Sequence, residues 1–251
     1  MSEPISAPAN RRTVIITGGG TGIGAATARL FAAEGADVLI VGRTLETLEK
    51  TASGMPNIRT LAADITAHGA AAAIVSTAID LFGHVDVLVN NAGITRPAKI
   101  GEIDCDQTQQ QIATNLVAPL FLTQEAVNHM PSGGVIVNVS SNPPLRGWPG
   151  NSVYGSTKVA LDFLTYTWSI ELGPRGIRVV GVAPGPTDTP VLLNSGLSPE
   201  QIAAKRKVDR IPLSRRAQPE EIAWWIVSVT RPEASYMTGA VLRIDGGVSV
   251  S

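Results

Sequence analysis

The chain has 251 residues, 44% of them hydrophobic, and a formal net charge of −1. That balance excludes a general nucleic-acid binder, which carries a basic surplus. The single cysteine, Cys105, rules out an intrachain disulfide and points to a reducing, cytoplasmic setting. Residues 1–12 are polar with two prolines and read as a flexible tail, and no run approaches the ~20 apolar residues that span a bilayer.

Taken in order, residues 14–17 form a short β-branched run followed by Gly18-Gly19-Gly20-Thr21-Gly22-Ile23-Gly24, and residues 25–34 have helical periodicity ending at Gly35. Strands are predicted at 37–41, 58–62, 85–89, 134–139, 176–182 and 240–244. Helices are predicted at 45–52, 67–82, 106–130, 152–172 and 219–230, with a short one near 199–207. The strands are near-continuous apolar runs, as expected when helices cover both faces of a sheet. Strand–helix alternation throughout predicts an α/β fold, a doubly wound, mostly parallel, seven-stranded sheet in one domain over 13–251. The longest stretch without clear structure, about 186–217, reads as a lid.

The glycine turn after the first strand suits close approach of a pyrophosphate to a helix N-terminus, where free N–H groups favour anions. By itself it is equally a tight βα turn. The second strand ends in Val41-Gly42-Arg43-Thr44, with an arginine and no carboxylate. A guanidinium there pairs with phosphate oxygens and favours the 2′-phosphorylated dinucleotide NADP(H) over NAD(H); the plainer reading is a solvated arginine. Asp37 opens that strand and sits on its wrong side. Asn90-Asn91-Ala92-Gly93 follows the fourth strand, at the carboxyl edge where such sheets bind ligands.

Tyr154 and Lys158 lie four apart in a predicted helix and so share a face. A phenol with a pKa of about 10 is a poor acid or base at neutral pH, and a neighbouring ammonium lowers that value. The pair is therefore a candidate acid/base device.

These motifs, in this order, resemble the short-chain dehydrogenase/reductase family in its single-domain form. The resemblance spans residues 13–247. It rests on Thr17-Gly18-x-x-x-Gly22-Ile23-Gly24, Asp64-Ile65, Asn-Asn-Ala-Gly at 90–93, Asn115, Asn138-Val139-Ser140-Ser141, Tyr154-x-x-x-Lys158, Pro184-Gly185-x-x-x-Thr189 and Asp245-Gly246-Gly247. It implies a catalytic set of Asn115, Ser141, Tyr154 and Lys158. Ser141 would bind the substrate carbonyl and Tyr154 would donate the proton. Lys158 would hold the nicotinamide ribose and depress the phenol pKa, and Asn115 would support a relay behind the lysine. It further implies that Thr17, Gly18, Gly20, Thr21, Gly22, Ile23 and Gly24 hold pyrophosphate. Arg43 and Thr44 would meet the 2′-phosphate, Asp64 and Ile65 the adenine, and Asn91, Ala92 and Gly93 the cofactor's flank. Pro184, Gly185, Thr187 and Thr189 would position the nicotinamide. Thr21 stands where many NADP(H)-using members carry a basic residue, and Thr187 where an aliphatic one is usual.

In the family the stretch 142–151 walls the substrate site. Pro143 and Leu145 would belong to that wall, and Trp148 offers a flat apolar surface that either stacks on substrate or packs against neighbours. The lid brings Val191, Leu192, Leu193 and Leu197, all apolar. A bulky hydrophobic ketone fits, and the wall is similar to that of ketoreductases that tailor aromatic polyketides. The competing substrate is a β-ketoacyl thioester on a carrier protein, to which the basic run Lys205, Arg206, Lys207, Arg210, Arg215 and Arg216 and the isolated Arg175 would dock, unless that run is simply a solvated face. A reading of another class is a nucleotide-binding sensor or scaffold without chemistry. No metal is expected, since His68, His84 and His129 are scattered and read as surface positions. Trp224 and Trp225 are expected in the core or at a subunit contact. Family members associate as homotetramers or dimers through the two long helices, so self-association is expected.

Overall fold

The computed structural model describes residues 11–142, 147–193, 195–205 and 207–251. Seven strands form one sheet: β1 (Thr13–Thr17), β2 (Asp37–Gly42), β3 (Ile58–Ala62), β4 (Val87–Asn90), β5 (Val135–Val139), β6 (Arg178–Pro184) and β7 (Ala240–Ile244). Their order is β3-β2-β1-β4-β5-β6-β7, and every adjacent pair is parallel. Register runs in step, Val14 lying opposite both Val38 and Val87.

Parallel strands need crossovers, and the helices supply them. They are α1 (Gly22–Ala33), α2 (Leu45–Ala52), α3 (Ala70–Phe82), α4 (Cys105–Ile112), α5 (Ala118–Ala126), α6 (Ser152–Leu172), α7 (Pro199–Lys205) and α8 (Pro219–Ser228). Because strand side chains alternate, each central strand feeds two cores. Val14, Ile16, Val38 and Ile40 pack one face with Phe31, Ile222 and Ile226; Ile15, Leu39, Leu88 and Ile136 pack the other with Ile74, Leu122 and Trp168. The inner strands β1, β4 and β5 are buried along their whole length, whereas the edge strand β7 is only half-covered. Among the described residues no helix is long and apolar enough to cross a membrane.

The sequence boundaries hold closely for α2, α6, β3 and β7. Three differ for physical reasons. The helix expected at 67–82 starts at Ala70, because Gly69 is left-handed (φ 76°) just before it. The strand expected at 176–182 runs Arg178–Pro184, since Gly176 is also left-handed. The single helix expected at 106–130 is broken into α4, a π-helical turn at Ala113–Val117 and α5, ending in a short 3-10 turn. Pro119 has no N–H to return to the carbonyl of residue 115, so the ladder slips by one residue and Ala118 N donates to Ala113 O. Trp224 and Trp225 do not fill the core: α8 buries Ile222, Ala223, Ile226 and Val227 and leaves both tryptophans outside, edge to face at 4.9 Å. His84 is not a plain surface residue either, being half-buried with Nε2 2.9 Å from Asp86.

Candidate active site

The strand order reverses between β1 and β4, and a cleft of about 1280 Å³ opens there, outside the carboxyl ends of the strands. Its first wall is the turn from β1 into α1. Gly22 is left-handed (φ 53°), and a Cβ on Gly24 would lie 2.3 Å from the Gly18 carbonyl oxygen, so only glycine lets the helix start this close to the strand. Gly18, Gly20, Thr21, Gly22 and Ile23 line the cleft. Gly24 sits behind it, and so does Thr17. Thr17 is buried, and its Oγ1 accepts from the backbone N–H groups of Asn91 and Ala92, both at 3.1 Å. It ties the glycine turn to the next loop instead of facing a ligand. Asn91 completes the tie by donating from Nδ2 to Thr17 O at 2.8 Å.

At the far end Arg43 and Thr44 line the cleft beside Asp64 and Ile65. Two hydrogen bonds from Thr66 hold the Asp64 carboxyl below its usual range, and the Arg43 charge adds to this. Ala92, Gly93, Pro184, Gly185, Thr187 and Thr189 form the middle of the wall.

The floor comes from α6 and the π-turn. Tyr154 and Lys158 project from one face of α6, with Lys158 Nζ 5.8 Å from the phenol ring centroid. Lys158 is 4% exposed and donates to Val139 O at 2.9 Å; burial pulls its pKa from 10.5 down to about 8, against the opposing field of Asp162. The Ser141 hydroxyl faces the phenol and favours its ionised form. The expected depression of the tyrosine pKa is not what the structure gives. The ring is still partly accessible from the cleft, yet the protein around the phenol pushes its pKa up, and only Ser141 opposes this. Lys158 has turned to a backbone carbonyl, so the pair acts on the phenol less than helical spacing implies.

Asn115 is fully buried and outside the cleft. Its Oδ1 accepts from Ile94 N and its Nδ2 donates to Ile94 O, both at 2.9 Å, and Nδ2 also reaches Thr157 Oγ1 at 3.2 Å. The widened π-turn is what turns this side chain onto the β4 loop. It clamps the loop over Lys158, where a Cβ on Gly93 would come within 3.4 Å of Nζ.

Of the residues expected on the substrate side, Pro143 and Leu145 lie outside the described residues, as does Arg206. Trp148 is 43% exposed, lines the cleft and meets the Tyr154 ring edge-on at 5.7 Å. Val191 and Leu192 line it as well, on a 3-10 turn at Pro190–Leu192; Leu193 and Leu197 do not. The two ends of the segment 186–217 are tied, with Asp188 N donating to Ala217 O and Ala217 N to Pro186 O, each at 2.9 Å. Of the basic run, Lys207, Arg210 and Arg216 reach the cleft. Arg216 is occupied by Asp188 at 2.7 Å, and Arg215 by Glu221. Arg175 donates to Val127 O. The cleft also has a polar wall that the sequence reading missed: Arg96 and Thr95 after β4, with Gln109, Gln110 and Thr114 from α4 and the π-turn. A signal was present, since residues 110 and 114 are four apart in a predicted helix and so share a face.

A family model described as enoyl-(acyl carrier protein) reductase matches residues 18–249. A 3-oxoacyl-[acyl-carrier-protein] reductase of Thermotoga maritima is 38% identical, over 95% of this chain and 98% of its own. The chain belongs to the short-chain dehydrogenase/reductase family. A 3β-hydroxysteroid dehydrogenase of Eggerthella lenta is 33% identical across 95% of this chain and 94% of its own. Among solved structures, a 3-ketoacyl-(acyl-carrier-protein) reductase of Brucella melitensis complexed with NADH superposes with a TM-score of 0.87 at 32% identity, covering 95% of this chain and 98% of that one. As a family member the protein is an oxidoreductase acting on alcohol and ketone groups.

Proposed function

We propose that this family member reduces a bulky, hydrophobic ketone with NADPH, as do ketoreductases that tailor aromatic polyketides. The observation that carries the reading is Trp148, set edge-on to Tyr154 in the cleft that Pro190, Val191 and Leu192 also line. An indole beside the proton donor favours a substrate that offers a ring to stack on. The relative named for steroids, which are rigid polycycles, supports the same substrate class.

The glycine turn and the N-terminus of α1 suit a pyrophosphate, and Gly24, by letting α1 start against β1, brings that N-terminus to the cleft. Gly18, Gly20, Thr21, Gly22 and Ile23 would hold it. Asp64 and Ile65 would flank the adenine, while Asn91 to Gly93, Pro184, Gly185, Thr187 and Thr189 would bound the nicotinamide end. Exposed Arg43, aided by Thr44, favours a 2′-phosphate, hence NADPH over NADH. When bound, the nicotinamide supplies hydride to the carbonyl carbon. The chain's own residues do the rest. The raised phenol pKa keeps Tyr154 protonated at neutral pH, the form that can donate to the carbonyl oxygen. Ser141 orients that oxygen, and the Lys158 cation stabilises the phenolate left behind.

A second reading, reduction of a β-ketoacyl thioester on a carrier protein, is supported by the Thermotoga relative and by Lys207 and Arg210 at the cleft, whose charge suits an acidic carrier. Purified protein offered a polycyclic aromatic ketone and a β-ketoacyl thioester in parallel, with NADPH consumption followed, separates the two. Faster loss with the aromatic ketone is expected. Faster loss with the thioester reverses the order, and NADPH binding without consumption of either substrate leaves a nucleotide sensor.

A further inference from the structure

The face of α6 that carries Tyr154 and Lys158 continues for another turn to Asp162, a residue outside the expected catalytic set. Asp162 is 8% exposed, and its Oδ1 is enclosed with no hydrogen-bond partner among the described residues. Such a carboxylate is costly to bury, and one retained only for packing would be expected to have its oxygens satisfied. Burial pushes the Asp162 pKa above the ordinary carboxylate value, and three neighbours oppose this in favour of the charged form. The Ser140 hydroxyl, at the end of β5, faces the carboxylate and favours its ionised form, although its Oγ falls short of full hydrogen-bond geometry. The Lys158 ammonium acts on it from one helical turn away, and Arg243 acts from β7. Other polar groups around the pair are Tyr154 on α6, Ser141 after β5 and Asn115 on the π-turn, all uncharged at neutral pH.

Lys158 is placed just as tightly, enclosed between the Val139 carbonyl and the Gly93 backbone. A dry enclosure favours a neutral amine. Asp162 supplies the charge that opposes this. Lysine and aspartate are not in direct contact, so the carboxylate works through its field and leaves Nζ free to turn from Val139 towards a ligand.

We propose that Asp162 is a positioning residue that keeps Lys158 cationic inside the closed floor and thereby sets the upper pH limit of turnover. The proposal rests on the reductase reading above for its kinetic consequence only; the charge state of Lys158 is measurable without any substrate.

The test is Asp162→Asn, with Asp162→Glu as the charge-conserving control. In the chain without cofactor, NMR titration of the labelled Lys158 side chain is expected to show its pKa lowered by about one unit in Asp162→Asn and restored in Asp162→Glu. In the NADPH-loaded enzyme, the alkaline limb of kcat for ketone reduction is expected to move down by a similar amount. An unmoved Lys158 titration in Asp162→Asn overturns the proposal, even if kcat or thermal stability falls, because a merely structural aspartate lowers those without shifting the limb. If Asp162→Asn does not fold, Asp162→Ser removes the same charge with less bulk and is read identically. Failure of wild type to reduce any ketone would instead strike the reductase reading, while the NMR result would still decide the role of Asp162.

Discussion

The floor and the rim of the cleft are built in opposite ways. In the floor and directly behind it, Lys158, Asn115 and Thr157 are 0–4% exposed, and each polar group is tied to a different element: the end of β5, the β4 loop or the π-turn. On the rim, Arg43, Trp148 and Val191 stand in solvent, with Trp148 at 43% and Val191 at 40% exposure. Proton transfer needs groups already in place, so that no reorganisation is required as charge develops. Recognition of a particular ketone or phosphate needs shape and charge at the mouth, on loops that tolerate change. The proposed chemistry is therefore locked into the fold, and the proposed selectivity is laid over it.

If that division is right, floor substitutions destroy turnover with any substrate, and rim substitutions only redistribute preference. The largest effect is expected for Tyr154→Phe, which removes the proposed proton donor and keeps the ring that packs against Trp148. A fall in kcat of about 10²- to 10⁴-fold is expected, with cofactor affinity preserved in a fluorescence titration. Turnover close to wild type would place the proton donor elsewhere and dissolve the contrast.

The next effect tests whether the floor is strained for function. Lys158 is held at about 8 where a solvated lysine titrates at 10.5. Between those values the unfolded chain binds more protons than the folded one, so stability rises with pH across that window. Below it, burying the cation costs the fold about 3 kcal/mol. Lys158→Met should therefore raise the Tm of the cofactor-free chain at pH 7 while turnover collapses. The gain is partly offset by leaving Asp162 without its cation, and it should shrink as pH is raised through the same window. A lower Tm in the variant at pH 7 would mean that the ammonium is stabilising where it lies.

The smallest effect belongs to the rim. Arg43→Asp should weaken NADPH binding by about tenfold, the loss of roughly one charge-assisted contact, and spare NADH. Equal losses for both cofactors in a titration would remove Arg43 from the 2′-phosphate.

Much of this was readable before any coordinates. The periods that mark β3 and the helix Ser152–Leu172 are local, and so are the glycine turn and the Tyr154–Lys158 spacing. What escaped was set by partners far away in the chain. The broken helix had a visible cause in Pro119, but its consequence, the aim of Asn115 at Ile94, depends on a loop 21 residues upstream. Asp162 was four residues past Lys158 in plain sight; helical spacing placed it on the same face, yet nothing local says that this face is dry. Trp224 and Trp225, large and apolar, read as core or as a subunit contact, and the structure removes only the first. The i, i+4 pairs Ile222–Ile226 and Ala223–Val227 claim the inward face of α8 and leave the tryptophans outside.

The sequence by itself determined the order of the elements, the place of the cleft and the residue types gathered there, because these follow from side-chain periodicity, glycine's freedom and the motif order. Only the tertiary structure decided the electrostatics of that cleft. It showed that Thr17 and Asn115 brace the walls from behind, that burial raises the Tyr154 pKa where a neighbouring lysine was expected to lower it, and that Lys158 and Asp162 are both buried on α6. The reason is that desolvation and charge sum over every group within a few ångströms, and most of those groups come from other parts of the chain.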